Sequence, residues 1–137
     1  MALTHLADTS VLTRLSAAPV RDVLEPLVES GSLARAGITD LEVGFSARDS
    51  TEWDGLLAAL SVFELIESTA AHVARARQVQ RLLAEGRLRG RKVPDLLIAS
   101  AAEERGLIVL HYDADFDMIS SVTGQPVEWV VPRGSIN

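Results

Sequence analysis

Residues 93–116 read VPDLLIASAAEERGLIVLHYDADF, and the order of polar and apolar positions within them decides the fold. Pro94 and Asp95 suit the first turn of a helix, where a missing N–H costs nothing and a carboxylate meets the positive end of the helix dipole. From Leu96 to Ala102 the pattern is apolar almost all round, which only a buried helix tolerates. Gly106 ends that helix, and residues 107–110 continue as a strand that runs straight into His111, Tyr112 and Asp113.

The same alternation extends outward in both directions. Residues 3–7 read as a short strand halted at Asp8-Thr9-Ser10, with helical spacing at Val11, Leu12 and Leu15. Pro19 opens a second helix with Val20, Val23, Leu24, Leu27 and Val28 on one face, ended by Gly31, and a brief strand is expected near residues 33–38. Thr39 reads as an N-cap with Glu42 at the capping-box position of a helix over residues 40–47. Ser50-Thr51 start another, with Trp53, Leu56, Leu57 and Leu60 inward, and residues 62–66 alternate like a strand. Residues 69–88 form the longest helical pattern, with Val73, Ala76, Val79, Leu82 and Leu83 inward; a loop around Gly86 and Gly90 follows, and a last strand spans residues 127–131. Strands alternating with helices imply an α/β fold of three layers, α/β/α, around a parallel sheet of four or five short strands. Ligands of such sheets lie beyond the carboxyl ends of the strands.

Composition narrows the function classes. With 137 residues, 47% of them hydrophobic, the chain is expected to form one domain over 1–137, and no apolar run nears the roughly 20 residues of a membrane span. The start, MALTHLADTS, lacks the basic and apolar stretches of a secretory signal, so a cytoplasmic location is expected. The absence of cysteine excludes disulfides, thiolate metal sites and cysteine nucleophiles, and leaves oxygen and imidazole as metal ligands. The net charge of −6 is unevenly placed: residues 75–92 carry seven basic side chains against Glu85 alone, a basic arm on an acidic body.

Asp8 and Asp113 fall at the carboxyl ends of strands, and Asp95 and Glu42 fall in or near helix starts that open onto the same edge. Each acid alone is an ordinary helix cap or first-turn charge. Together they would repel by several kcal/mol, since like charges about 4 Å apart interact strongly at an effective dielectric near 20. Divalent cations relieve that repulsion, and an oxygen-only donor set suits Mg2+ or Mn2+. Phosphodiester hydrolysis is the chemistry such a centre serves.

Asp8-Thr9-Ser10, Thr39-Asp40-Leu41-Glu42-Val43, Pro94-Asp95-Leu96-Leu97-Ile98-Ala99 and Asp113-Ala114-Asp115-Phe116, in that order and spacing, resemble the PIN-domain nucleases. Within that family the chain is most similar to the VapC-type ribonuclease toxins of bacterial type II toxin–antitoxin pairs. The resemblance implies an Mg2+- or Mn2+-dependent endoribonuclease acting on tRNA or ribosomal RNA, a homodimer, and a VapB-type antitoxin partner. It assigns the acidic quartet to Asp8, Glu42, Asp95 and Asp113 as metal ligands and catalytic groups, with Ser10 and Asp115 in support. Where family members commonly place a small hydroxyl residue, two positions before the fourth aspartate, this chain has His111, whose role stays open between packing and proton transfer. Arg87, Arg89, Arg91 and Lys92, close in sequence to Asp95, are expected to grip RNA phosphates that the acidic body would repel. The apolar helices at 20–28 and 53–60 serve either the core or the surfaces for partner and dimer.

Three rivals fit less well. A dehalogenase-type phosphatase needs its Asp-x-Asp early in the chain; a response-regulator receiver needs an acidic pair after the first strand. The third is a non-catalytic module whose carboxylates bind a basic peptide. A calcium loop beginning at Asp113 fails, because Met118 and Gly124 stand where glycine and glutamate are required.

Overall fold

The strand His5–Ala7 (β1) lies at the middle of a five-stranded sheet in which every neighbouring pair runs parallel. The computed structural model describes residues 2–137. After β1 come helices Thr9–Leu12 (α1) and Ala18–Glu29 (α2), strand Leu33–Ala36 (β2), helices Gly37–Gly44 (α3) and Ser50–Leu60 (α4), and strand Glu64–Ile66 (β3). Helices Ala70–Glu85 (α5) and Val93–Arg105 (α6), strand Ile108–His111 (β4), helix Asp115–Thr123 (α7) and strand Val127–Trp129 (β5) complete the order. The sheet runs β3-β2-β1-β4-β5, so the chain winds outward from β1 in one direction and returns to β1's other side at β4. A crevice opens between the carboxyl ends of β1 and β4, where the winding reverses.

Successive residues of a strand face opposite ways, and the two hydrophobic clusters follow that alternation. Leu6, Ala34 and Val109 point to the face covered by α5, α6 and α7, where Val79, Leu83, Ile98, Ala102, Phe116 and Ile119 are buried. Ala7, Leu33 and Leu110 point to the other face, under Val11, Val20, Leu24 and Phe63. The three layers expected from the sequence are therefore present. Among the described residues no helix is long and apolar enough to cross a membrane.

Several element ends differ from expectation. Thr39 is not an N-cap: α3 begins at Gly37 after Ala36, and Thr39 lies fully buried inside it. Its hydroxyl bonds to Thr9 across the sheet edge, a tertiary partner that overrides the capping pattern. Trp53, Val73 and Leu82 are partly exposed, because α4 packs on α3, and α5 on α6 and α7, through narrower stripes. In α5 that stripe is Ala76, Val79 and Leu83, and Leu82 lies one residue round the helix from it. β3 is an edge strand of three residues with Glu64 and Leu65 exposed.

One buried ion pair ties the β2 side together. Arg35, on β2 and 8% exposed, donates through Nε and Nη2 to the two Asp40 carboxylate oxygens at 2.8 and 3.2 Å. Its Nη1 donates to the carbonyls of Leu60 and Phe63. The first turn of α3 and the chain leaving α4 are thereby held by a single guanidinium. Arg35→Leu should lower stability by about 3 kcal/mol, since it strands a carboxylate and two carbonyls; a urea unfolding midpoint within error of wild type would refute the clamp.

Candidate metal centre

Asp8 follows β1 directly and caps α1: its Oδ2 accepts the Ser10 N–H at 3.0 Å, while its own N–H donates to the Leu110 carbonyl at 2.9 Å. The side chain is 3% exposed and its Oδ1 has no hydrogen-bond partner. Burial raises its pKa, with the Glu42 charge adding to the rise and the Ser10 bonds opposing it. Ser10 also bridges the two strand ends. Its hydroxyl accepts the Tyr112 N–H at 2.9 Å and so fastens the chain after β1 to the chain after β4.

Asp95 is in the first turn of α6, which runs back toward β4, so that its amino end overlies the carboxyl edge of the sheet. Asp113 follows β4, and its Oδ1 accepts the Asp115 N–H at 2.9 Å, opening α7. One carboxylate oxygen from each of Asp95, Asp113 and Asp115 lies within 4.8 Å of the others. Asp115, expected only in support, is thus a full member of the cluster. Asp8 stands beside it, close enough for its charge to raise the Asp95 pKa.

Glu42 is held to one side. Thr9 Oγ1 donates to Glu42 Oε1 at 2.7 Å and lies 2.9 Å from Thr39 Oγ1, so a chain of hydroxyls fixes the glutamate to α1 and not to the other acids.

Lys92, expected to face RNA, points into the cluster instead. Its Nζ is 3.2 Å from Asp113 Oδ2, 3.2 Å from Asp115 Oδ2 and 3.6 Å from Asp95 Oδ2. The last distance is within ion-pair range but beyond a hydrogen bond, which leaves Asp95 Oδ2 a buried oxygen without a donor. Desolvation works against the ammonium, but the three carboxylates outweigh it and raise its pKa. Helical spacing from position 92 to 95 was the available signal, masked by the surrounding run of basic residues. Gly90 sets the approach: it is buried at φ +91°, and a Cβ there would sit 2.9 Å from the Asp115 carbonyl oxygen. Only glycine lets the loop lie this close to α7. Arg87, Arg89 and Arg91 are exposed on the same loop and make no ion pair among the described residues.

His111 is fully buried, with its ring centre 5.2 Å from that of Phe116 and 4.9 Å from that of Trp129. Its Nδ1 accepts the Asp113 N–H at 3.2 Å, and burial lowers its pKa to about 4, so the ring is neutral and carries its proton on Nε2. It positions the Asp113 backbone.

The donor set fits a hard divalent cation. All nearby ligand atoms are carboxylate oxygens, and two of them, Asp8 Oδ1 and Asp95 Oδ2, are buried with no donor to satisfy them.

Comparison with known proteins gives a consistent picture. The PIN-domain family model matches residues 6–121. Ribonuclease VapC51 of Mycobacterium tuberculosis is 64% identical over 137 residues, covering 100% of both chains. Ribonuclease VapC21 of the same species is 43% identical over 98% of this chain and 99% of its own. Among solved structures, DNA-bound VapBC from Salmonella typhimurium aligns with a TM-score of 0.74 at 21% identity, covering 94% of this chain and 99% of that one. FitAcB from Neisseria gonorrhoeae aligns with a TM-score of 0.73 at 17% identity, covering 93% and 98%. At such identities the structural likeness is one of fold.

The electrostatics of the ion-free centre carry a pH signature. Burial, followed by the Asp8 charge, pushes the Asp95 pKa up to about 7 against Lys92, whereas in the unfolded chain it is near 3.8. Between those values the folded state binds more protons than the unfolded one, so stability falls as pH rises from about 4 to 7. Asp95→Asn should flatten this slope and stabilise the ion-free chain by about 2 kcal/mol at pH 8. Urea unfolding in EDTA from pH 5 to 8 measures both, and a variant less stable than wild type at pH 8 contradicts the assignment.

Proposed function

This chain belongs to the PIN-domain family, among its VapC ribonucleases, and from that membership we propose that it is a metal-dependent endoribonuclease, the toxin of a toxin–antitoxin pair. The observation that carries the reading is the meeting of Asp95, Asp113 and Asp115 beside the buried, unsatisfied Asp8 at the crevice between β1 and β4. Asp8, Asp95 and Asp113, with Asp115 next to them, would hold Mg2+ or Mn2+, and Glu42 flanks the centre from α3. When bound, a divalent ion activates the attacking water and neutralises the leaving oxygen of a phosphodiester.

The protein's own residues do the positioning. Ser10 joins the two loops that bear Asp8 and Asp113; the Asp8 N–H to Leu110 bond locks the first of them to β4. His111 orients the peptide of Asp113, and Thr9 holds Glu42. Such support fixes carboxylate geometry before a substrate arrives. Arg87, Arg89 and Arg91, exposed and without ion pairs, supply contacts to the phosphate backbone. Those contacts carry no base code; the family resemblance implies a structured RNA, tRNA or rRNA, which would be read through shape and unstacked bases.

The antitoxin and the second protomer need apolar surface. Of the two helices considered from the sequence, α2 spends its apolar face on the core, burying Val20 and Leu24. The region of α3 and α4 exposes Leu41, Phe45 and Trp53, with Phe45 92% exposed, and this surface is the better candidate for a VapB-type partner. The unit is read as a single PIN domain over 1–137 that works in the cytoplasm.

Cleavage of total RNA by the purified chain with Mg2+ or Mn2+ tests the activity. Asp8→Asn and Asp95→Asn should each reduce cleavage by about a hundredfold or more, and EDTA should abolish it. Full activity in either variant would remove that residue from the centre; no cleavage by folded, antitoxin-free wild type would favour the non-catalytic binding module. Charge reversal of Arg87, Arg89 and Arg91 should lower the slope of log affinity against log salt by about 2 for single-stranded RNA. An unchanged slope would return the arginines to an ordinary solvated surface.

A further inference from the structure

Three carboxylates crowded at a buried edge need a cation, and this chain already supplies one. The Lys92 ammonium sits 3.2, 3.2 and 3.6 Å from the oxygens of Asp113, Asp115 and Asp95, the same three residues whose oxygens are close enough together to share an ion. An ammonium 3.2–3.6 Å from all three caps the cluster, against the space a shared ion would fill, and its charge opposes that ion. Lys92 is also the single lysine of the chain, and six of its neighbours in the basic arm are arginines. The difference matters chemically: an ammonium is a compact point charge on a flexible stem, able to fill a small site and to leave it, whereas a guanidinium is a planar fork. Its side chain is 59% exposed, so a path out to solvent is open. Gly90, two residues earlier, holds the loop against α7 and places the stem over the acids.

We propose that Lys92 is the built-in occupant of the carboxylate cluster, a tethered cation that a divalent ion must displace to enter. The inference rests on the reading of the cluster as a metal centre. In the ion-free protein Lys92 lowers the repulsion among Asp95, Asp113 and Asp115; on loading, its ammonium swings out toward the arginine loop. Lys92 therefore weakens metal binding while stabilising the empty centre. It also follows that the lysine is available to an RNA phosphate only once an ion has taken its place.

The single lysine makes displacement directly visible. With 13C-labelled lysine in the full-length protein, one ε-methylene signal reports on Lys92, and Mg2+ titration should move it toward the position of a solvated lysine, saturating with the ion. The same signal unmoved while Mg2+ binds, as followed by calorimetry, would overturn the proposal and leave the metal centre standing. A second measurement is Mn2+ affinity by calorimetry for wild type, Lys92→Gln and Lys92→Arg. Lys92→Gln should bind Mn2+ about tenfold more tightly or better and melt at a lower temperature than wild type in EDTA, because a unit charge a few ångströms away no longer opposes the ion; Lys92→Arg should keep weak affinity. Equal affinity of Lys92→Gln and wild type would overturn the proposal alone. No saturable binding by folded wild type or Lys92→Gln would overturn the metal centre and the proposal with it.

Discussion

Repulsion among carboxylates deprived of water is the constraint to which the rest of this molecule answers. Asp8, Asp95, Asp113 and Asp115 are brought to one crevice although each would be better solvated elsewhere, and burial, reinforced by neighbouring charges, drives the pKa of Asp8 and Asp95 upward. An arrangement of this kind persists only if the scaffold is stiff enough to refuse relaxation. The central strands provide that stiffness. β1 is paired on both sides, its core residues are wholly buried, and the peptide of Asp8 is pinned to Leu110 on the neighbouring strand. The hydroxyl of Ser10 and the imidazole of His111 then fix the two peptides that lead into Asp113, one on either side of Tyr112. None of these groups contributes a charge; each removes a way for the acids to move apart.

The two signs of charge are separated by function as well as by position. Three of the arm's seven basic side chains lie on α5, where Arg75 and Arg81 are paired with Glu103 and Glu85. The remainder, beyond Gly86, is unpaired and faces outward, apart from Lys92. An acidic crevice rimmed by exposed cationic groups suits a polyanion whose backbone must approach a cluster that would otherwise reject it. The apolar surface around Leu41 and Phe45 borders the crevice through Glu42 and Pro94, so that a protein bound there would also overhang the acids.

The parts of this design that depend on period and order were legible in the sequence. The apolar run after Asp95, the punctuation by Gly31 and Gly106, and the placement of Asp8 and Asp113 at strand ends led to the parallel three-layer sheet and to its acidic edge. Features that depend on side-chain direction were not legible. Nothing local distinguishes Lys92 from Arg91, yet one faces the acids and the other solvent, because the buried Gly90 brings the loop against α7 and Lys92 stands at the opening of α6. Thr39 carried the pattern of a helix cap, but a tertiary partner, Thr9, claimed its hydroxyl. His111 departed from the family's small hydroxyl, and its meaning became clear only from the aromatic rings of Phe116 and Trp129 that enclose it.

The pairing of β1 with β4 has a consequence for how the protein comes into being. The strand that precedes the first acid pairs with a strand far along the chain, His5 lying opposite Ile108. Until β4 pairs with β1, Asp8 has neither the Leu110 carbonyl to anchor its peptide nor Asp113 as a neighbour. Contacts between distant parts of a chain form late and at a high entropic cost. The acidic crevice is therefore completed late in folding, after the helices around it have formed from local contacts.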